Sequence, residues 1–141
     1  MARFSNDSGD LHRFALDCLH AADHPSCSHP YTALPCDTCG AEEWEVAVEH
    51  HTGSKATDFR GVVYGLCTRC RETAVLFAFS GPHRRPVLTE YLVCPCGTAT
   101  VSAGMCEREA GAHGTPGGKN AGVLVDKCTA CARNAVVVWT D

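Results

Sequence analysis

The cysteines of this chain come in pairs, and the spacing of the pairs limits the fold more than any other feature. Cys36-Asp37-Thr38-Cys39 and Cys67-Thr68-Arg69-Cys70 form one set, and Cys94-Pro95-Cys96 and Cys128-Thr129-Ala130-Cys131 form a second. A CxxC turn presents two thiolates to one ion from a tight loop. Two such turns complete the four-sulfur tetrahedron that zinc prefers in structural sites. The first set has that pattern in full, whereas Cys94 and Cys96 have one residue between them. Cysteine makes up 11 of 141 residues and aromatic residues only 7%. Such a composition suits a small core supplemented by staples. An odd number of cysteines cannot be paired off completely into disulfides, and in a reducing compartment the pairs read as metal ligands.

The length sets a prior of one domain or two very small ones. The opening Met1-Ala2-Arg3-Phe4-Ser5-Asn6-Asp7 has no apolar run of the signal-peptide kind. The longest apolar runs, Ala74 to Phe79 and Ala135 to Trp139, fall far short of the ~20 residues a membrane span needs. The expectation is a cytoplasmic globular protein with no membrane association.

The two sets of cysteines sit in related surroundings. Gly61-Val62-Val63-Tyr64-Gly65-Leu66-Cys67-Thr68-Arg69-Cys70 aligns without a gap with Gly122-Val123-Leu124-Val125-Asp126-Lys127-Cys128-Thr129-Ala130-Cys131. The match continues into Ala74-Val75 and Ala135-Val136, and Gly follows both Cys39 and Cys96. We read this as an internal duplication. Between the knuckles, Trp44, Val46 and Val48 alternate with Glu45, Ala47 and Glu49, the period of a strand with one wet face. His51 to Lys55 is a turn, Gly61 to Leu66 the return strand, and Thr73 to Phe79 a third strand, apolar enough to be covered on both faces. The second half repeats this with Thr98 to Met105, Val123 to Val125 and Ala135 to Trp139. Its Gly-rich tip, residues 111–120, is expected to be a mobile loop.

Residues 8–22 read as a helix capped by Ser8 or Asp10, with Leu11, Phe14, Ala15, Cys18, Leu19 and Ala22 as its apolar stripe. A Pro-rich tether follows, and a strand from Val87 to Val93 leads into the second half. The expected divisions are therefore a helix and tether over 1–33, a first metal unit over 34–80, a linker and lead-in strand over 81–91, and a second unit over 92–141.

Knuckle, strand, hairpin, strand, knuckle, strand is a layout that resembles the zinc ribbon family, over roughly residues 34–80 and again over 92–140. The resemblance implies a small, metal-stabilised, mostly β fold. It would consist of two tandem zinc ribbons of three strands each behind an N-terminal α-helix, with two Zn2+ ions. One would be held by Cys36, Cys39, Cys67 and Cys70, the other by Cys94, Cys96, Cys128 and Cys131. Ribbons of the transcript-cleavage type carry an Asp-Glu pair at the hairpin tip. Here the tip holds Gly53-Ser54-Lys55 and a lone Asp58, which gives that role no support. Rubredoxin-like iron sites prefer Gly after both knuckles, whereas Arg71 and Ala132 follow the second ones here. That disfavours iron without excluding it, since spacing alone does not choose between the metals in an all-thiolate site.

Other residues offer further ligands. Cys18, His24, Cys27 and His29 crowd together near the helix and permit a third ion, although Cys18 also reads as a small core residue on the helix stripe. Cys106 reads as a buried thiol between the ribbons, or as a spare ligand together with His113.

Three classes of function follow. The first is a non-catalytic docking module or accessory subunit of a larger protein complex. Closed four-thiolate shells are structural, and an edge strand such as Thr73 to Phe79 can pair with a partner chain. The second is nucleic-acid binding through Lys55, Arg60, Arg69, Arg71, Arg84 and Arg85, with Tyr64 or Trp44 to stack a base. The net charge of −4 gives that reading no general support. The third is an iron electron carrier or thiol redox protein. An enzyme with a small-molecule substrate is not expected, because neither quartet leaves an open position for water.

Overall fold

The computed structural model describes residues 9–22, 31–55, 59–79, 85–107 and 122–140. The elements are helix α1 (Leu11–Ala22) and strands β1 (Tyr31–Ala33), β2 (Trp44–His51), β3 (Gly61–Cys67), β4 (Thr73–Phe79), β5 (Pro86–Tyr91), β6 (Thr100–Glu107), β7 (Gly122–Cys128) and β8 (Asn134–Thr140). Each half is an antiparallel meander: β2, β3 and β4 in the first, β6, β7 and β8 in the second. Alternation explains the first meander. Trp44, Val46 and Val48 are buried, as are Gly61, Val63, Gly65 and Cys67, while the residues between them are exposed or half-buried.

The halves join edge to edge in one eight-stranded sheet of order β4-β3-β2-β6-β7-β8. The direct seam between β2 and β6 is short, with Trp44 opposite Val101 and Glu45 opposite Thr100. Beyond it the two strands diverge, and each takes a strand from the other half's lead-in. β1 pairs with β6, so that Ala33 faces Gly104 and the Leu34 N–H donates to the Ala103 carbonyl at 3.1 Å. β5 pairs with β2, so that Tyr91 faces Ala47 and the Leu92 N–H donates to the Val46 carbonyl at 3.0 Å. Leu34 and Leu92 each stand two residues before the first cysteine of their own half. The strand expected to lead into the second unit therefore completes the first one. Both pairings supply partners for backbone groups of β2 and β6 that the short seam leaves unpaired.

The correspondence extends to irregularities. The β3–β4 register shifts between Val63 and Tyr64, and the β7–β8 register shifts between Leu124 and Val125 at the aligned place. The main core lies between the halves, with Trp44, Val46, Val48, Phe59, Val63 and Leu76 from one and Val101, Ala103, Leu124, Val137 and Val138 from the other. Phe59 also donates its N–H to the Trp139 carbonyl at 2.7 Å, tying the first hairpin tip to β8.

Helix α1 breaks the correspondence. Its residues Leu11, Phe14 and Ala15 pack with Cys106, Val123 and Val125 on the far face of the second meander. Asp10 begins the helix, its carbonyl accepting the Phe14 N–H at 2.9 Å. The Gly9 carbonyl accepts from Asn134 Nδ2 and from Lys127 Nζ. As a result β7 and β8 are buried on both faces. β4 is not. The expectation that Thr73 to Phe79 is covered on both faces fails, because no helix lies over the first meander among the described residues. Only Leu76 of β4 is buried.

Candidate metal centres

Each knuckle is a turn closed by two backbone hydrogen bonds. In the first, the Gly40 N–H donates to the Cys36 carbonyl and the Cys36 N–H to the Ala41 carbonyl. Arg71 and Cys67, then Ala132 and Cys128, repeat the first bond, while Cys67 with Glu72 and Cys128 with Arg133 repeat the second. The Cys94 knuckle uses the same closure one residue shorter, with Gly97 N–H on the Cys94 carbonyl and Cys94 N–H on the Thr98 carbonyl. The missing residue therefore leaves the turn intact. All four turns end on a residue with positive φ: Gly40 at 76°, Gly97 at 93°, Arg71 at 64° and Ala132 at 62°. Arg71 and Ala132 thus adopt the left-handed backbone that glycine favours. The absence of glycine there does not alter the knuckle, and the sequence argument against iron loses its force.

Strand pairing brings the knuckles of each half together. Cys67 is opposite Trp44, five residues after Cys39, and Cys128 is opposite Val101, five residues after Cys96. The sulfurs then meet across the knuckles: Cys36–Cys70 at 3.6 Å and Cys39–Cys67 at 3.5 Å in one group, Cys94–Cys131 and Cys96–Cys128 each at 3.5 Å in the other. Within each group all four sulfurs lie within 4.8 Å of one another. A tetrahedron with metal–sulfur bonds of about 2.3 Å has sulfurs about 3.8 Å apart, so both groups fit one metal ion each. Disulfides need sulfurs at about 2.05 Å, and these cysteines are free.

Backbone N–H groups point at the first sulfur of each turn. The Cys39 N–H lowers the Cys36 thiol, and the Cys70 N–H lowers Cys67 to about 6. Cys96 is lowered to about 6 chiefly by Thr98, whose hydroxyl lies 3.4 Å from the sulfur and donates to the thiolate. Burial opposes ionisation at Cys128, yet the N–H groups of Cys131 and Ala130 leave it lowered. Burial and the neighbouring sulfurs push Cys94 up to about 12 against the Cys96 N–H. Cys70 accepts the Glu72 N–H but is likewise pushed up to about 12 by burial and by Cys36, Cys67 and Cys39. Without a cation, then, four thiolates in one group resist ionising together, and a bound metal ion would take the place of the shared protons.

The two groups differ in exposure. Cys36, Cys67, Cys94 and Cys128 are buried in both halves, but Cys39 and Cys70 are half-buried where Cys96 and Cys131 are exposed.

Among the described residues, no other expected ligand joins either sulfur group. Cys18 packs half-buried against the cluster beneath α1, while His24, Cys27, His29 and His113 lie outside the described residues. Cys106 is fully buried, but beneath α1 and not between the halves. It stands five residues along β6 from Val101, about 17 Å of strand away from the second sulfur group, which rules it out as a spare ligand there. The basic stretch divides in two. Arg69 and Arg71 are exposed at the knuckle end of the first meander. Lys55, Arg60 and Arg85 lie at the hairpin tip, where the Thr52 N–H donates to the Arg85 carbonyl and the Arg60 N–H to Ser54 Oγ. The seven residues of β3 separate these ends by roughly 20 Å. The Arg60 guanidinium lies 4.4 Å over the Phe79 ring. Arg84 lies outside the described residues.

Sequence reasoning missed the apolar surface of the first half. Val75 is 58% exposed, Tyr91 76% and Val93 51%. Their alternation marks strands but does not tell which face a helix covers. No helix among the described residues is long and apolar enough to cross a membrane. Comparisons with protein families, with curated proteins and with solved structures find nothing that matches this chain.

Proposed function

We propose that the protein is a non-catalytic docking module built on two tandem zinc ribbons, with two structural Zn2+ ions and a protein partner on the first ribbon. The observation that carries this reading is the contrast between the halves. Both sulfur groups supply four protein donors, which closes a tetrahedral shell and leaves no position for a substrate. The second half is covered on both faces, whereas the first leaves Val75, Phe79, Val87, Leu88, Tyr91 and Val93 in solvent. Phe79 and Leu88 stand opposite Gly61 and His50 on the core side, whereas Val75 and Tyr91 share the outer face with Tyr64. Large apolar side chains grouped on one open face of a small protein mark a contact surface. The aligned halves read as a duplication in which one copy kept an intramolecular cover. Zinc is favoured by the all-thiolate donor set and contributes folding free energy that so small a core lacks.

Nucleic acid is the weaker reading, since the basic residues sit at opposite ends of β3 and the exposed face is apolar. The test is binding of the metal-loaded chain, in parallel, to its co-purifying partner and to single- and double-stranded oligonucleotides across a salt series. The docking reading expects a stoichiometric protein complex that tolerates salt and is lost in Tyr91→Glu. Oligonucleotide binding with a steep salt slope, unaffected by Tyr91→Glu, would overturn it. One visible absorption band of bound iron in place of zinc would return the electron-carrier reading.

A further inference from the structure

Rows of cross-strand neighbours define the open face of the first meander. Val75 stands opposite Tyr64, Tyr64 opposite Ala47, and Ala47 opposite Tyr91, so one row crosses four strands on the side away from the core. Val62 and Glu49 pair in the next row, with Thr89 beyond them. Leu66 and Glu45 pair on the other side. The aligned face of the second meander is the one that carries α1. Val62, Tyr64 and Val75 stand where Val123, Val125 and Val136 stand, and those three belong to the cluster under the helix. The face that holds a helix in one half thus keeps the same apolar positions in the other half, uncovered among the described residues.

One substitution changes the chemistry. Glu49 takes the place of Cys106, which α1 buries completely: Glu49 is opposite Val62 just as Cys106 is opposite Val123. Glu45 adds a second carboxylate four residues back along β2 on the same face, and it is exposed. Glu49 is held by His51, with Nε2 2.7 Å from its carboxylate. None of the described positions in these rows carries Lys or Arg. A helix seated as α1 is seated would meet two carboxylates, one on each side of the central apolar row.

We infer that the outer face of β4, β3, β2 and β5 binds an amphipathic helix of a partner protein, one with an apolar stripe like that of α1 and Lys or Arg along the flank that meets Glu45 and Glu49. This rests on the docking reading and names its occupant. The face selects a helix because the aligned face already holds one. It selects a basic flank because a seated helix would bury the exposed Glu45 carboxylate beside the His51-bound Glu49, and a buried carboxylate needs a partner charge. The recognition mode is a helix laid into an apolar surface, read by anchors three and four residues apart.

The test uses the full metal-loaded chain and two synthetic helical peptides with one shared Leu-x-x-Phe-Ala stripe, flanked by Lys in one and by Glu in the other. Amide shifts on titration report where each binds. The expected result is saturable binding of the Lys-flanked peptide, with shifts at Val62, Tyr64, Val75 and Tyr91, at least tenfold tighter than the Glu-flanked one. Val75→Lys and Tyr91→Glu, both at exposed positions, each abolish it. The double variant Glu45→Gln with Glu49→Gln weakens the Lys-flanked peptide about fivefold at low salt and tightens the Glu-flanked one, so that the preference is lost. Equal affinity for both peptides, or shifts confined to Cys106 and Val123 through displacement of α1, would overturn the inference. So would self-association of the chain that Tyr91→Glu removes, since a second copy would then be the occupant. If neither peptide binds but the chain still forms a salt-tolerant partner complex through another surface, this inference falls and the docking reading stands.

Discussion

Trp44 and Val101 stand directly opposite each other where β2 meets β6, and each also faces the first cysteine of its own half's second knuckle, Cys67 or Cys128. The two residues hold matching places in the two halves, so the short seam between them is where the halves exchange positions. The seam is not matched in size. Trp44 is fully buried over Gly65 and donates its indole N–H to the Leu34 carbonyl at 2.8 Å, just before the first knuckle. Val101 is small, and Asp126 stands where Gly65 does. The large ring thus uses space that the missing side chain at position 65 leaves.

Gly65→Ala tests that packing. A Cβ there would lie 2.6 Å from the Trp44 ring and 2.9 Å from Leu76. Both neighbours are buried in the main core and neither can give way cheaply. Overpacking of this kind costs about 1–3 kcal/mol. We expect a lower melting temperature of the zinc-loaded chain together with altered Trp fluorescence. An unchanged melting temperature would show that the ring has room to move.

The knuckle turns predict a pair of opposite effects. Gly97 has positive φ and open space where a Cβ would go, so Gly97→Ala is penalised by backbone conformation alone. Ala132 already bears that penalty at φ 62°. Gly97→Ala is expected to destabilise by about 1 kcal/mol, and Ala132→Gly to stabilise by somewhat less, because glycine also gains freedom in the unfolded chain. Thermal melts of the two variants under equal zinc saturation check the signs.

What was legible in the sequence was local. Ligand spacing grouped the eight cysteines, period-two alternation placed β2, and the internal repeat carried the hairpin over to the second half, because each depends on residues close in the chain or on direct alignment. The partners of β1 and β5 were not legible. Tyr31 to Ala33 and Pro86 to Tyr91 have no pattern that says which half they join, and only the free edges of β6 and β2 decide it. The exposure of Val75 and the place of the buried Cys106, beneath α1 and not between the halves, were hidden for a related reason. Both depend on which meander α1 covers, and the apolar stripe of the helix would suit either.

The second centre is expected to lose its metal first. Cys96 and Cys131 are exposed where their counterparts are half-buried, so a chelator or an alkylating agent reaches them sooner. Elemental analysis during a chelator time course should show one ion leaving fast and one slowly, with alkylation mapping to Cys96 and Cys131 in the fast phase. Thr98→Val removes the hydroxyl on the Cys96 sulfur. It should weaken the second site about tenfold, as loss of a ligand's hydrogen-bond partner does, and leave the first unchanged.

Acid should release both ions. Every ligand must shed its proton to bind, so affinity falls as pH falls. Cys67 and Cys96, lowered to about 6, hold off reprotonation further into acid than an ordinary thiol does. Affinity is therefore expected to fall most steeply once the pH drops below about 6. A gentle decline centred near pH 8 would show that the lowered thiols do not govern release.

The exchanged lead-in strands make a prediction about cooperativity. β1 belongs by sequence to the first half and pairs with β6; β5 belongs to the second half and pairs with β2. The main core also draws on both halves, with Trp44, Val48 and Val63 against Val101, Leu124 and Val138. Losing either meander therefore removes edge hydrogen bonds and apolar contacts from the other. Cys36→Ser disables the first centre, and the free energy that its metal contributes to folding is lost with it. If the halves were independent beads, amide exchange in β7 would not change. The shared sheet predicts instead that the amides of Val123 and Val125 lose protection along with those of Val63 and Gly65, and that the zinc-loaded wild-type chain melts in one transition. Two separate transitions, or a β7 still protected in Cys36→Ser, would show that the seam at Trp44 and Val101 joins the halves without coupling their stability.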